Sequence, residues 1–180
     1  MVNDELEVIA REIRACTKCP LHESRTHGVP GDGPANALIV LVGEAPGRDE
    51  DEKGLPFIGR AGRLLNSALS EAGLAREELF ITNILKSRPP GNRRPSKEEV
   101  KACLPYLMRQ LELLKPAAVG LLGGVATESL LGEKKLASVH GKVFEREYKM
   151  VPTYHPAAVL RNPNFREVLI ADLRNLKKAV

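Results

Sequence analysis

A carboxylate, an amide and an imidazole each close a short apolar run in this chain: Glu44 after ALIVLVG, Asn83 at the end of LFITN, and His155 after MVPTY. Asparagine carries a donor and an acceptor side by side, a match for the edge of a planar, base-like ring. An imidazole can donate a hydrogen bond to an oxygen that gains negative charge. Phe57, the single aromatic of the polar segment GRDEDEKGLPFIGRAG, offers a face on which a flat ring stacks, worth about 1–3 kcal/mol per base. Brought to one place, these groups read a polar planar ligand. Taken singly, each has an ordinary role as a turn or capping residue, so the inference rests on their convergence. A second set is Cys16, Cys19 and Cys103. In a cytoplasmic protein Cys-x-x-Cys points to metal binding or redox chemistry before a structural disulfide. Three thiolates are one ligand short of the usual tetrahedral or cubane set.

The elements that must position these groups show in the apolar pattern. The runs at 37–42, 79–83, 117–122 and 150–154 are bounded by turn residues and carry no charge, the mark of strands buried on both faces. Helical patterns alternate with them. Residues 4–15 place Leu6, Ile9 and Ile13 on one face, and residues 60–72 end at Gly73. A capping box at Ser96–Glu99 opens a helix that Pro116 stops, with Pro105 predicting a kink or an irregular early segment. A short helix near 125–131 follows, and a last one after Pro163 turns Phe165, Val168, Leu169, Leu173 and Leu176 inward. Residues 139–149 read as a small polar hairpin around Gly141. Residues 47–62 read as a loop without regular structure, long enough to imply function. The order predicts an α/β fold: a three-layer sandwich with a mainly parallel sheet of about four strands flanked by helices, in one domain over residues 1–180. Ligands of such sheets bind outside the carboxyl ends of the strands, where Glu44, Asn83 and His155 fall.

Composition narrows the class. No apolar run approaches the roughly 20 residues that span a bilayer, and the acidic, helix-patterned start is unlike a secretory signal. A cytoplasmic protein with no membrane partner is expected. A net charge of +4 and a pI near 9.0 are compatible with a nucleic-acid partner, and Lys86, Arg88, Arg93, Arg94 and Lys97 concentrate that charge in one stretch. A single Gln among many Glu, Lys and Arg residues suits a heat-adapted source.

Five segments in order, GEAPG at 43–47, LPFIGRAG at 55–62, ITN at 81–83, RPPGNR at 88–93 and YHPAAVLR at 154–161, together with the early Cys-x-x-Cys, resemble the family 4 uracil-DNA glycosylases, iron–sulfur enzymes of archaea and thermophilic bacteria. The resemblance covers nearly the whole chain. It implies a DNA repair enzyme that flips uracil out of DNA and hydrolyses its N-glycosidic bond, leaving an abasic site. By the same resemblance Phe57 stacks on the base, Asn83 pairs with its O4 and N3 edge, and His155 stabilises charge on O2. Glu44 positions or polarises the attacking water, and the backbone of Gly43 and Ala45 touches the base or the DNA. Arg88, Arg93 and Arg94 meet phosphates, while Leu160 and Arg161 fall where the superfamily inserts a wedge. Some members of that superfamily carry an Asp where this chain has Ala45, so the water-activating group is the least defined part of the mechanism. Uracil-containing DNA is the implied partner, and a monomer is expected.

The implied cofactor is an iron–sulfur cluster of the 4Fe-4S type. Its family ligands are four cysteines; Cys16, Cys19 and Cys103 match, whereas Ser87 stands at the position before Arg-Pro-Pro. The cluster then persists with Ser87 or another ligand at the fourth iron, takes a three-iron form, or is absent. A cluster held by the three Cys is the expectation carried forward. Two other functions stay open on the residues alone: a base- or nucleotide-binding protein without catalysis, and an iron–sulfur redox protein.

Overall fold

The four apolar runs become parallel strands of one sheet in the computed structural model, which describes residues 1–180. Strands β1 (Ile39–Gly43), β2 (Phe80–Asn83) and β3 (Ala118–Leu122) are followed by β4 (Phe144–Glu145) and β5 (Lys149–Thr153). The order across the sheet is β2-β1-β3-β5-β4. The expected count of about four is corrected to five, because β4 adds an antiparallel edge to β5. Two residues, one of them charged, are too few for an alternation to show in the sequence. The hairpin turns through residues 146–148, not around Gly141.

Helices α1 (Val2–Arg14), α2 (Leu21–Ser24), α3 (Arg48–Lys53), α4 (Arg60–Ala72), α5 (Lys97–Leu114), α6 (Gly124–Leu131), α7 (Leu136–Val139), α8 (Pro156–Arg161) and α9 (Phe165–Lys178) cover the sheet. Successive strand residues point to opposite faces. Ile39, Leu41, Ile81 and Val151 therefore join Leu65, Leu69, Leu169 and Leu173 in one apolar layer. Val40, Val42, Phe80 and Leu121 join Leu107 and Leu111 in the other. Ile9 and Ile13 of α1 pack on Tyr106 of α5 as an outer layer. The capping box forms as expected: Ser96 Oγ accepts from the Glu99 amide at 3.2 Å, and Glu99 Oε2 accepts from the Ser96 amide at 2.8 Å. Helix α5 continues unbroken through Pro105.

The stretch expected to be irregular is helical in part, and a further short helix follows the last strand. Residues 47–62 contain α3, in which helical spacing buries Glu50 and Asp51 and leaves Asp49 and Glu52 outside. The His-Pro pair opens α8, with Pro156 in the first turn, where a missing N–H costs nothing. The last helix begins at Phe165, just past Pro163.

Both sheet edges are short or covered. Asp32 exchanges two backbone hydrogen bonds with Ile81 (2.9 and 2.8 Å), laying the segment before β1 along the outer side of β2. Beneath it lies Lys86, 1% exposed, whose Nζ donates to Thr82 Oγ1 (2.5 Å) and Gln110 Oε1 (2.8 Å). With no carboxylate beside it, burial pushes the Lys86 ammonium down to about 7. No helix is long and apolar enough to cross a membrane.

Candidate active site

The carboxyl ends of β1, β2 and β5 open on one cavity of about 390 Å³, whose lining includes Glu44, Ala45, Phe57, Asn83, His155 and Arg161. Strand-end position and the lone aromatic point to Glu44, Asn83, His155 and Phe57, the family resemblance points to Ala45 and Arg161, and the fold brings all six together. Register does much of the work: Gly43 pairs with Asn83 across β1 and β2. A Cβ on Gly43 would stand 2.4 Å from Asn83 Oδ1 and 2.5 Å from Phe57 Cζ. Position 43 therefore has no room for a side chain if the amide and the ring are to flank the same space. Asn83 is 2% exposed, and its Oδ1 is the one buried side-chain oxygen or nitrogen without a hydrogen-bond partner. Leaving a buried acceptor unmade costs about 1–3 kcal/mol. An acceptor kept unpaired at a cavity wall is built for a donor that arrives from outside.

His155 is the N-cap of α8. Its Nδ1 accepts from the Ala157 amide at 3.0 Å. That nitrogen is then the unprotonated one, and the proton of the neutral ring lies on Nε2. Burial, helped by the charge of Arg161, pushes the imidazole down to about 4, so it is a neutral N–H donor at physiological pH. The Phe57 and His155 rings lie 5.5 Å apart between centroids, tilted by 33°.

Phe57 reaches this place at a backbone cost. Its φ of +48° lies in the left-handed region that bulky residues avoid. Arg76 clamps the bend, with Nη1 donating to Phe57 O and Nη2 to Pro56 O, each at 2.8 Å. A Cβ on Gly62 would lie 1.9 Å from Phe57 O, so α4 can seat the bend only with glycine there. Glu50 supplies the other clamp, accepting from the amides of Ile58 and Gly59 at 3.0 Å each, at the N-terminus of α4. Glu50 was missed in the sequence because RDEDEK reads as a solvated acidic run. Its spacing from Gly47 on a short helix was the available signal.

Glu44 is half-buried, and desolvation raises its carboxyl group against the opposing charges of Arg94 and Arg161. The arginine loop after β2 adds Pro89, Asn92 and Arg93 to the cavity wall. Arg93 is held by both carboxylate oxygens of Glu99 (2.6 and 3.0 Å), and Arg88 Nε donates to Asn92 Oδ1 at 2.7 Å. Arg94 stands 71% exposed beside Glu128. Arg88, Arg94 and Leu160 are not part of the cavity lining. Leu160, near the end of α8, is an exposed large apolar side chain.

The cysteines form a separate cluster on the far side of that loop. Cys103 on α5 is close enough to Cys16 and Cys19 for their charges to interact, and burial pushes its thiol up. The Lys86 amide lies 3.4 Å from Cys103 Sγ and the Lys18 amide 3.5 Å from Cys16 Sγ, both as donors. No three His, Cys, Asp or Glu side chains converge tightly enough to hold one metal ion. Cysteine thiolates are the donor chemistry of iron–sulfur groups. The three-thiol set thus fits the iron–sulfur group that the sequence resemblance implies. The fourth position does not match: Ser87 is 3% exposed, and its Oγ accepts from Arg25 Nη1 at 2.8 Å.

Comparison with known proteins agrees with this layout. Residues 30–176 match the model of the uracil DNA glycosylase superfamily. A type-4 uracil-DNA glycosylase of Archaeoglobus fulgidus is 46% identical, over 96% of this chain and 92% of that protein. One from Pyrobaculum aerophilum is 46% identical over 94% and 91%. One from Thermotoga maritima is 39% identical over 97% and 94%.

Proposed function

The chain belongs to the type-4 uracil-DNA glycosylases of the uracil DNA glycosylase superfamily, and we propose that it removes uracil from DNA by hydrolysing the N-glycosidic bond, as a monomer of one domain over residues 1–180. The observation that carries this reading is the unpartnered, buried Asn83 Oδ1. Uracil presents an N3–H donor beside its O4 acceptor, and an asparagine offers the complementary pair. Cytosine presents the reverse pattern at the same two positions and leaves both partners unsatisfied, which is how a site of this kind rejects it.

In this reading the base leaves the stack and enters the cavity with one face on Phe57. As the glycosidic bond breaks, its electron pair passes to uracil N1 and spreads onto O2. The Nε2–H of neutral His155 donates to that oxygen, and no proton has to move for the charge to be stabilised. The sugar is left cation-like and takes up a water positioned by Glu44, and the proton which that water sheds neutralises the departing uracil anion. The close backbone at Gly43 and Ala45 bounds the base. Leu160 and Arg161 enter the duplex in the place of the extruded nucleotide. Arg88, Arg93 and Arg94 lie along phosphates and set register without reading sequence. Cys16, Cys19 and Cys103 would hold an iron–sulfur cluster, whose part would be structural, tying the N-terminal loop to α5 beside the arginine loop.

Incubation with an oligonucleotide containing one uracil, followed by alkaline cleavage, tests the proposal. Strand breakage at the uracil supports it. Intact strands together with tight retention of uracil would instead indicate a binding protein without catalysis.

A further inference from the structure

We infer that Arg25, not Ser87, closes the fourth corner of the cysteine cluster, so that this chain anchors an iron–sulfur group through three thiolates alone. The inference rests on the cluster reading above and is independent of the reaction at the uracil site.

Ser87 stands where a fourth ligand would be needed, but its oxygen is already held by a guanidinium. Arg25 Nη1 donates to Ser87 Oγ at 2.8 Å. The other terminal nitrogen, Nη2, donates to Cys16 O at 2.8 Å and to Arg14 O at 3.0 Å. One guanidinium therefore joins the end of α1, the first cysteine and the start of the arginine loop, the same segments that a fourth iron–ligand bond would join. To bind iron, Ser87 Oγ would have to lose its proton and share with the metal an oxygen that already takes a charge-assisted hydrogen bond from Arg25. It would do so as a ligand harder and more basic than thiolate. An oxygen on the same Cβ also reaches less far than a sulfur, and the loop that carries it is pinned on both sides. Lys86 beside it is buried under three hydrogen bonds to Thr82, Gln110 and Pro30 O, and Arg93 is paired with Glu99.

Two of the three sulfurs show the opposite character. Cys16 and Cys103 each accept from a backbone amide, the kind of contact that supports a thiolate on iron. The site is thus asymmetric: two cysteine corners carry amide donors to sulfur, and the serine corner is closed by a cation that holds the backbone instead.

Anaerobic reconstitution of the full chain with ferrous iron and sulfide, followed by iron assay and electron paramagnetic resonance, tests this directly. Ser87→Ala is expected to keep the iron content and the spectrum of the parent chain, and Cys103→Ala to lose both. Ser87→Cys is expected to change the spectrum, because a fourth thiolate then becomes available to the cluster. Arg25→Ala, which frees three acceptors, is expected to speed iron release to a chelator several-fold. A changed spectrum or lost iron in Ser87→Ala would make Ser87 a ligand and overturn the inference. So would a parent chain that takes up no iron, or an Arg25→Ala variant that releases it at the parent rate. Uracil excision measured on the same samples stands apart, because neither Arg25 nor Ser87 touches the uracil cavity.

Discussion

Asn83→Ala separates a residue kept for its ligand from one kept for the fold. In the free protein the Asn83 oxygen is buried and unpaired, a state that costs about 1–3 kcal/mol. Truncation removes that cost and loses a small amount of packing, on the order of 1 kcal/mol. The two effects nearly cancel or leave a gain of up to about 2 kcal/mol, so the melting temperature should stay level or rise by up to about 8 °C. The reaction should suffer in the other direction. A bidentate contact to a base is worth about 1–3 kcal/mol of discrimination, so kcat/KM for uracil excision should fall by about 10- to 100-fold. Saturating free uracil should raise the melting temperature of the parent chain and leave the variant unmoved. The assays are single-turnover excision from a uracil-containing oligonucleotide and a thermal melt of the same preparations. A melting temperature lowered by many degrees would show that Asn83 is a structural residue, and unchanged excision would remove it from the site.

Three further outcomes follow from the same geometry. With His155 held near 4, excision should stay level as pH falls through 6.5 and decline only toward pH 4, where protonation takes away the Nδ1 acceptor of the Ala157 amide. The unfolded chain binds that proton first, so stability is full above about pH 6.5 and is lost as pH falls toward 4; a break in either profile confined to pH 7–8 would contradict this. Arg76→Ala should release the left-handed bend at Phe57 and cost about 1–3 kcal/mol in chemical denaturation, with a larger loss of excision than of DNA binding; an excision rate equal to the parent's would show that the clamp is idle. Arg88→Ala and Arg94→Ala should each reduce the slope of log binding constant against log salt by about 1 in titrations with duplex DNA, and unaltered slopes would place those arginines off the phosphates.

The parallel sheet was legible because its strands are uninterrupted aliphatic runs, and the capping box at Ser96 because its two side chains are specific to a helix start. Glu44, Asn83 and His155 were legible as strand-end residues, since topology alone carries such positions to one side of a sheet. Strand β4 and helices α3 and α8 were not. Phe144–Glu145 is too short for a pattern, Arg48–Lys53 is charged throughout, and His-Pro is a turn signal as readily as a helix start. The bend at Phe57 is invisible in a list of residues, because a left-handed phenylalanine exists only by virtue of Arg76 and Gly62 elsewhere in the chain. Arg25 was hidden for a related reason. Nothing in its neighbours along the chain announces an arginine that will face a serine 62 positions away.

The treatment of the sheet margins has a consequence for handling the protein. Along β2 the outward peptide groups of Ile81 are already engaged by Asp32, and the opposite margin is only two residues long. An incoming strand from a second molecule finds almost no exposed ladder to extend. Crowding or a heat step during purification therefore offers little template for fibrous association, and material that clumps is expected to have lost the segment around Asp32 first. Trimming or replacing residues 29–32 should turn a well-behaved preparation into one that sticks to itself, even with every residue of the uracil cavity intact.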